Sequence, residues 1–219
     1  MRYFIELSYN GKAYHGWQNQ PNAISVQEVL ENALSTLLGE SVAIVGAGRT
    51  DAGVHAKQIF AHFDTEQIIE KAQLVYKLNS FLPKDIAIHN VFKVKPDAHA
   101  RFDALNRSYL YRISLKKNAF NTEQAYFVKQ QLDVEKMKEA AKILLDYKDF
   151  QCFSKVHTDV KTYNCDIKEA EFNIVEDELH FTLKADRFLR NMVRAIVGTL
   201  INIGVGKIDK TLVVDLDKF

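Results

Sequence analysis

Apolar and polar residues alternate from the start of the chain, which predicts a β-strand over residues 2–9. The pattern then changes to helical spacing, and Ser25 with Glu28 forms a capping box in front of that segment. Gly39 supplies a helix stop. The apolar positions between these signals predict one amphipathic helix; they are Val26, Val29, Leu30, Ala33, Leu34, Leu37 and Leu38.

The remaining pattern divides into two similar halves. The first half predicts strands at 42–47, 58–64 and 86–95, and a helix at 66–80. The second half predicts a strand at 107–115, a helix at 134–146, strands at 164–174 and 178–185, and a helix at 187–203. Both halves follow approximately the order β-α-β-β-α, which is typical of ferredoxin-like and RNA-recognition modules. We therefore expect an α+β protein with two domains, residues 1–100 and residues 101–219.

Composition excludes several classes of protein. The chain has 219 residues, 47% of them hydrophobic, with three prolines and nine glycines, so it can bury a sizeable core without long disordered segments. A strand begins at once and no apolar run approaches membrane-spanning length, which predicts a soluble, cytoplasmic protein without a signal peptide. Cys152 and Cys165 form no Cys-x-x-Cys pair and the seven histidines are scattered, so no metal site is indicated.

The segment Gly46–Ala56 carries the most informative pattern in the chain. Its three glycines in eight positions let the backbone approach a ligand closely, and a loop held between strands often presents catalytic groups. Asp51 is the only acid from Ser41 to Phe63. Asp51 is therefore a candidate catalytic carboxylate. The alternative is an ordinary turn with a surface ion pair, for which Arg49 is the available cation.

Charge distribution is more informative than the net charge of +1. Residues 101–117 hold five basic residues against one acid, and residues 184–210 hold six against two. Acids gather instead in 133–149 and 169–178. This separation predicts one basic face for a phosphate backbone, although an ordinary solvated surface would show the same pattern.

The run from Gly48 to His55, Gly-Arg-Thr-Asp-Ala-Gly-Val-His, resembles the signature of the tRNA pseudouridine synthase A family. The resemblance extends in order from about residue 3 to about residue 206. The other matching segments are Tyr9 to Gln20, Ser25 to Gln27, Leu82 to Ile86, His99 to Phe102, Arg107 to Arg112, and Phe188 to Gly198. The closing segment, residues 210–219, has no counterpart in that pattern, so no residue of the uracil pocket is assigned to it.

The resemblance implies an isomerase that converts uridine to pseudouridine in the anticodon arm of tRNA, at positions 38–40. It also implies a homodimer, and two halves whose mostly antiparallel sheets join, with helices on one side and a central catalytic cleft. The reaction involves no redox change and no external group, so no cofactor or metal is expected. Asp51 would be the catalytic carboxylate, acting as nucleophile or base.

Three more residues receive roles from the resemblance together with their local pattern. Arg194 would pair with Asp51 and keep it ionised, since a buried aspartate resists ionisation without a cation. Tyr109 would stack on the target uracil, whereas Tyr111, on the same strand face, is expected in the core. Arg49 would contact RNA or fill the gap left by the flipped nucleotide.

Helical spacing would place Arg194 on one stripe with Arg187 and Arg190. We expect Arg187 to lie on the solvent-exposed side of that helix without a role in the site.

Two other functions fit parts of the sequence. An RNA-binding protein could keep this fold without catalysis, but it would have no use for an acid facing phosphates. A phosphate hydrolase could use Gly46–Gly53 as an anion cradle, but the Lys-Ser/Thr ending of a P-loop and the following helix are absent.

Overall fold

The computed structural model describes residues 1–155 and 160–209. The chain divides into two compact units, Met1–Ala104 and Leu105–Phe219. The boundary predicted from the sequence lies four residues earlier, at residue 100.

The first unit has four strands and two α-helices, and most of their bounds follow the sequence pattern closely. Helix α1 begins after Ser25, whose Oγ accepts a hydrogen bond from Glu28 N at 3.1 Å, and it ends at Gly39, whose φ is +68°. Helix α2 begins later than predicted, because the Glu70 carboxylate caps it. The elements are β1 (Arg2–Tyr9), α1 (Val26–Leu38), β2 (Ile44–Gly46), β3 (Ala56–Asp64), α2 (Lys71–Phe81) and β4 (Ile86–Lys93).

The four strands of this unit form an antiparallel sheet in the order β2-β3-β1-β4. With the two helices, this is the split β-α-β arrangement of the ferredoxin-like fold. Strand β1 alternates between buried and half-buried positions, and its buried side chains belong to the same core as those of α1 and α2. The ferredoxin-like character predicted for this half is confirmed.

The second unit also contains a β-α-β-β-α series, but its fourth strand, the short β6, precedes the first helix and lies at the sheet edge. Its strand order is β6-β5-β8-β7, and β6 pairs with β5 in parallel. The elements are β5 (Arg107–Ser114), β6 (Tyr126–Phe127), α3 (Val134–Ile143), β7 (Ile167–Val175), β8 (Glu178–Ala185) and α4 (Met192–Gly204). Mixed helices and sheets in both units confirm the predicted α+β class, whereas the joined sheet and the central cleft stay predictions.

The predicted start of the last helix is wrong. Helix α4 begins at Met192 and not at residue 187, because Asn191 has a left-handed backbone with φ of +67°. The preceding segment is a loop held by Asp186, whose Oδ1 accepts hydrogen bonds from Asp166 N and Arg187 N at 2.7 Å. Arg187 therefore shares no helical stripe with Arg194.

The closing segment, residues 210–219, lies outside the described residues. Within residues 1–155 and 160–209, no helix is long and apolar enough to cross a membrane.

Candidate active site

The loop between β2 and β3 presents Asp51 on its surface. Both Asp51 and Arg49 are exposed. Val54 N donates to the Asp51 carbonyl oxygen at 3.2 Å, which closes a four-residue turn. Gly53 occupies the third position of this turn with φ of +75°, a conformation that favours glycine. The turn thus accounts for the Asp-Ala-Gly-Val part of the motif.

Residues 9–17 form the support of this loop. Trp17 N donates to the Thr50 carbonyl oxygen at 3.2 Å, and Gly53 N donates to the Tyr14 carbonyl oxygen at 3.3 Å. These two contacts hold the backbone on either side of Asp51. In addition, the hydroxyls of Tyr9 and Thr50 share a hydrogen bond of 2.9 Å. The first segment that matches the family thus holds the loop that carries the acid.

Two glycines of the support allow the loop to come this close. A Cβ on Gly11 would lie 2.0 Å from the Val54 carbonyl oxygen, and a Cβ on Gly16 would lie 2.2 Å from the Thr50 carbonyl oxygen. Any other residue at either position would force the two backbones apart. Gly11 N also donates to His55 Nδ1 at 3.1 Å, so the support contacts both ends of the loop.

Helix α1 ties the support to strand β2 through Gln27 and Glu31. Gln27 Nε2 donates to the Ile44 carbonyl oxygen at 3.1 Å, and Glu31 Oε1 accepts from Ile44 N at 2.9 Å. Gln27 N donates to the Trp17 carbonyl oxygen at 3.0 Å. The matching segment Ser25 to Gln27 therefore joins the helix, the support and the strand from which the loop departs.

Tyr14 is fixed by a partly buried contact with the segment before β4. Its hydroxyl donates to Asp85 Oδ1 at 2.7 Å, and Asn10 N donates to the Asp85 carbonyl oxygen at 2.8 Å. Burial, followed by this hydrogen bond, raises the pKa of the Tyr14 phenol well above its ordinary value.

Tyr109 lies in the second unit, half-buried on β5. Its ring meets Phe188 edge to face, with the ring centroids 5.0 Å apart. Tyr111, two residues along, packs against the core as expected. Burial raises the pKa of Tyr111, while the positive charge of Arg194 on α4 acts in the opposite direction. Tyr109, Tyr111 and Arg194 thus belong to one unit, and Asp51 with Arg49 to the other.

The basic segment 101–117 offers less charge than its composition suggests. Arg112 donates two hydrogen bonds to Glu178, at 2.7 and 2.8 Å, and Lys116 pairs with Asp177 at 2.7 Å. Glu178 is only 6% exposed, and Arg112 is the main reason why its pKa is lowered. Two of the five basic residues in this segment are therefore paired with acids, one in the β7–β8 turn and one at the start of β8.

Sequence reasoning assigned no role to Tyr9, Gly11, Gly16 or Phe188. The available signal was that all four fall in segments that match the family, yet their contacts join residues far apart in the chain. In the part of the chain that the structure describes, no three histidine, cysteine or acidic side chains are grouped as metal ligands.

The two four-stranded sheets and four helices of the described residues are consistent with the α+β fold of pseudouridine synthases. A family model described as tRNA pseudouridine synthase matches residues 7–103 and 140–216. The match thus extends into the closing segment, residues 210–219, for which the sequence pattern predicted no counterpart. The chain belongs to the tRNA pseudouridine synthase family and is an isomerase of this type.

Named relatives cover most of the chain. A tRNA pseudouridine synthase A of Bacteroides thetaiotaomicron is 55% identical over 210 residues, or 94% of this chain and 78% of the relative. The protein of the same name in Parabacteroides distasonis is 55% identical over 208 residues, or 94% and 82% of the two chains. A tRNA pseudouridine synthase A 2 of Clostridium perfringens is 40% identical over 205 residues, which are 93% of this chain and 84% of the relative. These relatives do not favour a non-catalytic RNA-binding protein.

Proposed function

We propose that this protein converts uridine to pseudouridine in tRNA with Asp51 as its catalytic carboxylate. The observation that carries the assignment is the loop itself: the Asp51 side chain is exposed, while hydrogen bonds to Trp17 and Tyr14 hold the backbone on either side of it. A fixed backbone with an accessible carboxylate is suited to a reaction that requires accurate placement of one group.

The reaction is an isomerisation in which every heavy atom of the uridine is retained. The bond between N1 of uracil and C1′ of ribose breaks, the base turns, and a bond forms between C5 and C1′. The proton on C5 is lost and N1 gains one. A carboxylate can serve as nucleophile or as base in this sequence, and Asp51 supplies it.

The target nucleotide has to leave its stack, because a carboxylate cannot reach the ribose carbon inside an intact helix. We assign three further residues to the site that binds and converts this nucleotide. Tyr109 offers a half-buried ring for stacking on the uracil. Arg49, exposed on the loop of Asp51, contacts RNA or fills the gap left by the flipped nucleotide. Arg194 is assigned the role of ion-pair partner of Asp51.

We further propose that the substrate site is the anticodon arm, at tRNA positions 38–40, and that the protein works as a cytoplasmic homodimer. The family resemblance supports these assignments. For the dimer there is a structural argument as well. Phe4, Phe60 and Phe92 are half-buried neighbours on the sheet face that points away from α1 and α2, and apolar faces of this kind commonly mark interfaces.

A uridine-specific pseudouridine assay on unmodified tRNA transcripts tests the activity. We expect new pseudouridine in the anticodon arm and none in transcripts whose uridines at positions 38–40 are replaced by cytidine. Tight binding to tRNA without any pseudouridine would instead support the non-catalytic RNA-binding protein.

The dimer is tested by light scattering on purified protein at several concentrations. We expect the mass of two chains for the wild type and of one chain for Phe60→Lys, because a charge on that face would have to be buried. A wild-type mass of one chain at every concentration would refute the dimer.

A further inference from the structure

The contacts around Asp51 fix the backbone but leave the side chain exposed. The Thr50 carbonyl oxygen accepts from Trp17 N on one side, and Gly53 N donates to Tyr14 on the other. A third contact, of 2.9 Å between the hydroxyls of Tyr9 and Thr50, joins two side chains. It acts on the residue that directly precedes Asp51.

Tyr9 is well placed to serve as an anchor. It is 4% exposed, lies at the end of strand β1, and its ring lies beside that of Trp17, with centroids 6.2 Å apart. The hydroxyl therefore projects from a side chain that the core holds in place. A hydrogen bond between hydroxyls is directional, so it restricts the orientation of Thr50. The orientation of Thr50 in turn restricts the direction in which the Asp51 side chain points.

We propose that the Tyr9–Thr50 hydroxyl pair is a positioning device for the Asp51 carboxylate. This inference rests on the proposed function of Asp51. The buried ring of Tyr9 stabilises the core of the first unit, whereas its hydroxyl determines where the loop stands. Loss of the hydroxyl should therefore lower the rate of reaction more than it lowers stability or tRNA affinity.

Tyr9→Phe and Thr50→Val test this, because each removes one hydroxyl with little change in volume. A displacement of about 1 Å can cost a factor of about 100 in rate, so we expect single-turnover pseudouridine formation to slow at least about tenfold in each variant. The dissociation constant for tRNA should change by less than about threefold. The double variant should be no slower than the slower single variant, since both substitutions remove the same interaction.

Two matched variants serve as controls. Tyr3→Phe removes a hydroxyl from the same buried face of β1, where Tyr3 is 2% exposed and accepts from Ile69 N at 3.4 Å, and it should leave the rate unchanged. Thr50→Ser keeps the hydroxyl and loses only a methyl group, so it should recover most of the rate that Thr50→Val loses.

Asp51→Asn, measured in parallel, separates the two proposals. If Asp51→Asn is inactive while Tyr9→Phe and Thr50→Val react at the wild-type rate, the positioning role is refuted and the function of Asp51 stands. Independent, multiplying effects of the two substitutions would also refute the pair as one device. If Asp51→Asn is fully active, the proposed function of Asp51 itself fails and the positioning role fails with it.

Discussion

Gly16→Ala should slow catalysis through a displacement of the loop, without touching the substrate. The added Cβ would lie 2.2 Å from the Thr50 carbonyl oxygen, and real Cβ contacts essentially never fall below 3.0 Å. The Thr50 carbonyl would therefore have to retreat by about 0.8 Å, which is nearly the displacement of about 1 Å that can cost a factor of about 100 in rate.

The same substitution also strains the backbone, because Gly16 has φ of +92°. A non-glycine residue in the left-handed region costs about 1–2 kcal/mol. We expect the free energy of unfolding to fall by about that amount or somewhat more, and single-turnover pseudouridine formation to slow by about 10- to 100-fold. Urea titration and the release of tritium from C5-labelled uridine in tRNA measure the two quantities.

Gly39→Ala is the matched control. Gly39 has a similar left-handed backbone, with φ of +68°, but a Cβ there would meet nothing within 4 Å. It should lose about the same stability from backbone strain and keep the wild-type rate. If Gly16→Ala also keeps the wild-type rate, or if Gly39→Ala slows the reaction equally, the reasoning that joins the support to the position of Asp51 is refuted.

Three further predictions concern the second unit. Tyr109→Phe should keep most tRNA affinity in a binding assay, whereas Tyr109→Ala should lose about 1–3 kcal/mol of stacking, and equal losses would show that the ring is not the relevant part. Arg194→Ala should slow single-turnover pseudouridine formation more than it weakens tRNA binding, and Arg194→Lys should restore only part of the rate, because an ammonium lacks the planar fork of a guanidinium; a wild-type rate in Arg194→Ala would contradict the ion-pair role. Arg112 lowers the pKa of Glu178 in the folded state. Their ion pair therefore stabilises the protein fully when the pH is above 4.5, the ordinary pKa of this carboxyl group, and the contribution is lost as the pH falls through the lowered pKa. The difference in thermal midpoint between wild type and Glu178→Gln should therefore shrink as the pH is lowered below 4.5, and a constant difference would contradict this.

The sequence was most informative where local signals agree with one another. The bounds of α1 could be predicted from Ser25 and Gly39, because a side-chain cap and a left-handed glycine both act within one helical turn. The start of α4 could not be predicted, since helical spacing continues through 187–191 while the left-handed Asn191 and the Asp186 hydrogen bonds set the real boundary.

The support of the active loop was beyond sequence reasoning for a related reason. The loop pattern identifies Asp51 as a candidate, but the Tyr9–Thr50 contact joins residues 41 positions apart. The close approach of Gly16 to Thr50 likewise depends on how β1, α1 and β2 pack together. The charge available in segment 101–117 was also beyond sequence reasoning, because Arg112 donates hydrogen bonds to Glu178, which is distant in the chain.

The central claim is that the Asp51 carboxylate performs the chemistry. Asp51→Asn removes the charge while it changes the volume very little, and the side chain is exposed, so the fold should be unaffected. The most direct measurement is the single-turnover rate of pseudouridine formation, with the dissociation constant for the same tRNA determined in parallel. We predict no detectable pseudouridine and an affinity within about threefold of the wild type. Substantial pseudouridine formation by Asp51→Asn, or loss of binding together with loss of activity, would contradict the assignment.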